Sequence, residues 1–262
     1  MRYFFHISYP GQYFNGWQRH PKARSIQEVI EQALSGRFKT PIPIVGCGRT
    51  DAHVHASQFF FHADLPHWDF DLLFRLNKAL PYNISVFDIT PVGEKQHARF
   101  DAVQRAYDYF IHTYKDPFLS HLSAHYILKL EGKKMSQAVR LLPKYNDYRA
   151  FCASPDKYDH TICHVSAARL YVNPTGDRFR FQISSNRFLS KMIRMIVGKL
   201  LLVGTDQLSL NEFEAYLSGE KTPPFIKPAH PTGLFLSKVT YPFLDLPART
   251  GLWEHADWIP YD

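Results

Sequence analysis

Gly46-Cys47-Gly48-Arg49-Thr50-Asp51-Ala52-His53-Val54-His55-Ala56-Ser57-Gln58 is the stretch on which the reading of this chain turns. A short apolar run enters it (Ile42, Ile44, Val45) and an aromatic run leaves it (Phe59, Phe60, Phe61). β-Branched and aromatic residues suit a pleated, half-buried surface, so both flanks read as strands. Asp51 and Arg49 therefore sit on a tight connection between two buried strands. A rigid scaffold holds reactive side chains at such places. Two residues apart in an extended stretch, they share a side. A guanidinium keeps a neighbouring carboxylate ionised and aimed, fit to act as nucleophile or base. A structural ion pair closing the turn is the competing reading.

Working outward, residues 2–9 read as a strand. The loop from Pro10 to Arg24 is long for a compact domain and carries Arg19, Lys22 and Arg24 beside aromatics that look exposed. Ser25 and Glu28 form a capping box ahead of Ile26, Val29, Ile30, Ala33 and Leu34 at helical spacing. Trp68–Leu80 reads as a helix stopped by Pro81. Ile84–Ile89 reads as a strand, and so does Val103–Tyr114, by two-residue alternation. A helix over Lys134–Leu142 follows. Strands over Thr161–Val172 and Arg178–Ser184 are joined by the turn sequence Asn173-Pro174-Thr175-Gly176. An apolar helix over Phe188–Val203, a short helix over Glu212–Leu217 and a strand over Leu234–Tyr241 complete the order. Hairpins in both halves favour α+β over a doubly wound parallel sheet. The expected division is an N-terminal half over 1–104 carrying the Asp loop, a C-terminal half over 105–245, and a tail over 246–262.

The composition is that of a soluble globular protein: 45% hydrophobic and 21% charged residues in a chain of 262. No apolar run approaches a membrane span, and the N-terminus does not read as a signal peptide, so a cytoplasmic location is expected. Three cysteines argue against a disulfide framework. The net charge of +7 and the aromatic content of 15% suit a nucleic-acid partner, because phosphates attract cations and bases stack on rings. Asp51, His53 and His55 would make a partial metal site if alternation put them on one face, although nothing supplies a clear third-ligand motif beyond them. Arg187, Lys191, Arg194 and Gly198 fall at helical intervals and form a cationic stripe that either faces solvent or borders a cleft. Tyr107 reads as a core or interface tyrosine, or as a functional ring.

Taken together, these segments resemble the TruA-type tRNA pseudouridine synthases. The resemblance rests on Tyr9-Pro10-Gly11, Phe14-x-Gly16-Trp17-Gln18, Ser25-Ile26-Gln27 and Gly48-Arg49-Thr50-Asp51-Ala52-x-Val54-His55-Ala56. It continues through Leu76-Asn77-Lys78-Ala79-Leu80-Pro81, His97-Ala98-Arg99-Phe100 and Arg105-Ala106-Tyr107-Asp108-Tyr109. Asn186-Arg187-Phe188-Leu189-x-x-Met192-Ile193-Arg194-x-Ile196-Val197-Gly198 and Gly233-Leu234-Phe235-Leu236 complete it. It departs from the pattern at His53, where the family usually has Gly, and at Pro10, where it usually has Asp.

The resemblance implies the pseudouridine synthase fold: two α+β halves, mostly antiparallel sheets flanked by helices, and a cleft between them. It implies isomerisation of uridine to pseudouridine at positions 38 to 40 of the tRNA anticodon stem-loop, by a homodimer, with no cofactor and no metal. Asp51 matches the catalytic aspartate, and Tyr107 the tyrosine that stacks on the target base. Arg49 and Arg194 match arginines of the cleft. Arg19, Lys22, Arg24, Arg187, Lys191 and His53 are the residues expected to hold substrate. The alternatives are a relative with another RNA target, a non-catalytic RNA-binding protein on the same fold, and a hydrolase holding a metal through Asp51, His53 and His55.

Overall fold

The computed structural model describes residues 1–247 and 257–261. In chain order the strands are β1 (Arg2–Tyr9), β2 (Val45–Gly46), β3 (His55–Asp64), β4 (Ser85–Val92), β5 (Gln104–His112), β6 (Ala124–His125), β7 (Val165–Val172), β8 (Arg178–Ser185), β9 (Leu234–Thr240) and β10 (Ile259–Pro260). The helices are α1 (Ile26–Phe38), α2 (Leu72–Ala79), α3 (Gly132–Leu141), α4 (Met192–Gly204) and α5 (Leu210–Ser218). The fold is α+β, with mixed and mostly antiparallel strand pairing flanked by helices.

The chain divides into two compact units. The first is Met1–Val103 with the returning stretch from Phe235; the second is Gln104–Leu234 with the C-terminal stretch that contains β10. The sequence division instead assigned 235–245 to the second half and made 246–262 a tail. Phe235 and Leu236 pair in parallel with His55 and Ala56 of β3, which draws the returning strand into the first unit.

In the first unit β3 lies at the centre, antiparallel to β1 and β2 and parallel to β9, with β4 outside β1. The Phe59-Phe60-Phe61 run is buried on both faces, so it shows no alternation. Phe5 and Phe61 are direct cross-strand partners and stack at 4.5 Å, with Trp17 on Phe59 at 4.2 Å on the same side. Phe60 faces the other way, against His6 and Tyr241. Ser25 caps α1 by accepting from the Glu28 N–H at 3.2 Å. The α2 helix starts at Leu72, not at Trp68, because Asp71 caps it by accepting from the Phe74 N–H at 2.9 Å.

In the second unit the antiparallel order is β10-β7-β8-β5, with β6 parallel beside β5. The α3 helix packs against α4, α5 and β7. The Asn173–Gly176 turn forms as read, with Gly176 at φ +76°. The apolar helix begins at Met192, four residues later than its pattern suggested. Lys191 stands before it with φ 56°, a left-handed conformation that an α-helix does not contain. Arg187 and Lys191 are therefore not part of a helical stripe with Arg194.

Candidate active site

The Asp51 connection runs from β2 to β3, which pair as Val45–His62 and Gly46–Phe61. It is held from outside by the loop after β1, and backbone meets backbone along the contact. The Trp17 N–H donates to the Thr50 carbonyl at 3.2 Å, and the His53 N–H donates to the Phe14 carbonyl at 3.2 Å. The Val54 N–H closes the turn onto the Asp51 carbonyl at 3.1 Å. Tyr9 and Thr50 join hydroxyls at 3.0 Å.

Two glycines permit this closeness. A Cβ on Gly11 would lie 2.1 Å from the Val54 carbonyl oxygen, and one on Gly16, at φ +84°, would lie 2.5 Å from that of Thr50. The carbonyls of Gly16 and Trp17 in turn accept from the Ile26 and Gln27 N–H groups that open α1. The Tyr9–Gln18 and Gly48–Ala56 motifs are thus two sides of one clamp, anchored on a helix end.

Asp51 emerges half-buried and Arg49 exposed. His53 is exposed and takes φ 65°, the left-handed region that glycine enters freely, which gives the physical reason for glycine at this place in the family pattern. Its Nδ1 donates to the Gln12 carbonyl at 3.3 Å. His55 is fully buried: its Nδ1 accepts the Gly11 N–H at 3.1 Å, and its ring stacks on Phe235 at 4.3 Å. His53 and His55 therefore do not share a face. Among the described residues no group of three or more His, Cys, Asp or Glu side chains has the geometry of a metal site.

Of the loop aromatics, Phe14 and Trp17 are buried, contrary to the expectation of exposed rings, and Tyr13 is outside. Arg19, Lys22 and Arg24 are exposed. Arg19 meets Glu31 at 3.4 Å, and the Arg24 guanidinium lies over the Phe14 ring at 5.3 Å.

In the second unit, Tyr107 on β5 is half-buried and meets Phe188 edge-on at 5.1 Å. Tyr109 lies two residues on, on the same face. Its hydroxyl donates to the His230 carbonyl at 2.7 Å, and burial beside Tyr126 pushes it well above the usual tyrosine range while the Arg194 charge acts the other way. Arg194 Nε donates to the Ala229 carbonyl at 2.8 Å, and the Ala229 N–H donates back to the Arg194 carbonyl at 2.8 Å. Gly198 admits a backbone, as its place in the pattern suggested: a Cβ there would lie 2.5 Å from the Lys227 carbonyl oxygen.

Arg187 lies by His160 and over the Tyr158 ring, and Lys191 is exposed. Asp108 points away from the Tyr107 face and pairs with Arg180 at 2.7 Å. Sequence reasoning missed two supports. The Asn186 side chain accepts from the His164 and Arg187 N–H groups and so fixes the segment carrying Arg187 and Phe188. Ala229 and His230 bind Arg194 and Tyr109; their proline-rich surroundings, Pro223-Pro224 and Pro228, were the available signal.

A family profile described as tRNA pseudouridine synthase matches residues 144–242. A protein of Porphyromonas gingivalis named tRNA pseudouridine synthase A is 37% identical over 245 residues, covering 92% of this chain and 97% of its own. The chain belongs to the tRNA pseudouridine synthase A family. Relatives of the same name from Parabacteroides distasonis and Streptococcus pneumoniae are 39% and 33% identical over 92% of this chain. The family is one of pseudouridine-forming isomerases. Within this family member, Arg49, Asp51 and His53 share one clamped loop of the first unit. Tyr107 and Arg194 belong to the second unit, where the Arg194 charge reaches the β5 face that carries Tyr109.

Proposed function

We propose that this chain converts uridine to pseudouridine at positions 38 to 40 of the tRNA anticodon stem-loop, with Asp51 as the reactive carboxylate. The observation that carries this reading is the clamp around Asp51. A half-buried carboxylate on a backbone fixed by Gly11, Gly16 and Trp17 is aimed without being sealed from substrate.

The reaction is an isomerisation and balances without a co-reactant. The C1′–N1 bond breaks, the uracil turns while held, C5 bonds to C1′, the C5 proton leaves and N1 gains one. Asp51 attacks C1′ or takes a proton from the sugar. The target base leaves its stack to be reached, and the Tyr107 ring, backed by Phe188, supplies stacking in its place. Arg49 and Arg194 supply positive charge to orient the carboxylate and stabilise negative charge as it develops. Arg19, Lys22, Arg24, His53, Arg187 and Lys191 hold phosphates. In this reading the protein works in the cytoplasm as a homodimer, and no helix among the described residues is long and apolar enough to cross a membrane.

The test uses tRNA labelled with tritium at uridine C5. Wild type releases tritium, and mapping places pseudouridine at 38 to 40. Asp51→Asn drops release to background while tRNA binding stays within about threefold, since the substitution removes one charge and no contact area. Equal release from the two proteins would overturn the assignment.

A further inference from the structure

Two exposed tyrosines stand beside the Asp51 loop, and neither belongs to the motifs that carry the family resemblance. Tyr13 is 46% exposed and Tyr82 is 86% exposed. Single exposed rings are ordinary on a protein surface. This pair is different, because each tyrosine stands on a hydrogen-bonded turn and the two rings meet edge to face.

Tyr13 ends the Gly11–Tyr13 turn, which presses against the Val54 backbone. Tyr82 tips the turn between α2 and β4, closed by the Ile84 N–H on the Pro81 carbonyl at 3.0 Å. Asn77 locks that turn by donating to the Val86 carbonyl and accepting from the Val86 N–H, both at 2.8 Å. The rings sit 6.2 Å apart at 68°. The carbonyl of Gln12, next to Tyr13, receives His53 Nδ1, and His53 holds a left-handed backbone. A non-glycine residue in that region costs energy, and such conformations gather at ligand-contacting sites. The same loop continues into the exposed cations Arg19, Lys22 and Arg24.

We propose that Tyr13 and Tyr82 form a stacking platform for an unpaired base of the RNA substrate, beside the nucleotide on which Asp51 acts, with His53 at its edge facing the adjoining phosphate. The proposal rests on Asp51 being the reactive carboxylate. An open tyrosine face takes any base, because every base has a π-face. The turns order the backbone that carries the rings before RNA arrives, so little backbone freedom is lost on binding. The platform would set which neighbours of the target uridine the enzyme tolerates.

The experiment has two arms. Steady-state kinetics on tRNA compare wild type with Tyr13→Ala, Tyr82→Ala and Tyr82→Phe. Each alanine variant raises KM about tenfold, within the range for one lost base–ring stack, with kcat changed less than about twofold. Tyr82→Phe keeps the ring and stays within about twofold of wild type in KM. The second arm places a fluorescent purine analogue at each unpaired position of an RNA stem-loop in turn and measures quenching in an Asp51→Asn background. One position is quenched when Tyr82 is intact and equally in Tyr82→Phe, and it brightens in Tyr82→Ala.

Alanine variants with KM within twofold of wild type, or quenching indifferent to Tyr82→Ala, would sink the platform. So would equal KM losses for Tyr82→Phe and Tyr82→Ala, which would make the hydroxyl the operative group. Full turnover by Asp51→Asn would sink the Asp51 reading alone, because the quenching arm does not depend on chemistry.

Discussion

At the scale of single residues, His62 shows how the first unit responds to acid. It is buried between Phe4 and His97, and its Nδ1 accepts the Ala98 N–H at 3.1 Å. Burial first, then the charges of Arg2 and His97, push its pKa down to about 4 from 6.5. The imidazole therefore stays neutral in the folded protein at pH values where the unfolded chain would bind a proton. Between those values the unfolded state holds more protons, so stability rises with pH there and is lost as pH falls from about 6.5 towards 4. Thermal unfolding at pH 7 and pH 5 measures this: wild type loses on the order of 2 kcal/mol more than His62→Gln over that step. An equal loss in both proteins would assign the acid sensitivity elsewhere.

The stretch around Asp51 was the most legible part of the sequence. Asp51 and Arg49 draw attention as a carboxylate and a guanidinium on a turn between strands, whereas Tyr107 stands out only through the family resemblance. His62 did not stand out, because its property comes from burial and from the charges of Arg2 and His97, distant in sequence. The left-handed backbone of His53 was equally hidden, since a histidine gives no local sign of positive φ.

At the scale of elements, the lesson concerns what glycines and irregular segments do. The sequence located β1, β5 and β8 to within about two residues, although only β8 alternates in burial along its whole length. The start of α4 was misplaced because Phe188 and Leu189 are apolar at helical spacing, and periodicity cannot register a left-handed Lys191. Gly11 and Gly16 were visible as motif letters, but their purpose is long-range: each lets one loop reach the backbone of another.

That purpose is open to direct trial. Gly16→Ala combines a strained φ with a Cβ that would lie 2.5 Å from the Thr50 oxygen, against backbone that cannot swing aside. It should cost about 3 kcal/mol in denaturant unfolding and lower kcat by about tenfold through a displaced Asp51 loop. Gly36→Ala serves as the control. Gly36 sits in α1 with nothing near its Cβ position, and the helix should gain about 1 kcal/mol. Unchanged kinetics in Gly16→Ala would mean that the clamp does not position Asp51.

At the scale of the whole molecule, charge and connectivity matter more than any one contact. The halves were readable as α+β from hairpin order, but β9 was not assignable from its own residues. Leu234–Thr240 is an apolar strand that would suit either half, and its parallel pairing with β3 goes with its place in the first unit. The charge is simpler: 31 Lys and Arg against 24 Asp and Glu leave +7. RNA held by that surface releases counterions, so binding weakens linearly in log salt, with a slope of about 0.7 to 0.9 for each phosphate neutralised. Lys22 and Lys191 are exposed, one in each unit, and both are proposed phosphate contacts. Lys22→Ala and Lys191→Ala should each reduce the slope by roughly 0.7 to 0.9 and weaken binding of different tRNAs to the same degree. Tyr82→Ala, if its ring stacks on a base, weakens binding with the slope unchanged, because stacking releases no ions. Filter binding from low to moderate salt separates the two effects. A slope unmoved by both lysine variants would take those side chains off the phosphate path and leave the net charge acting only as a diffuse field.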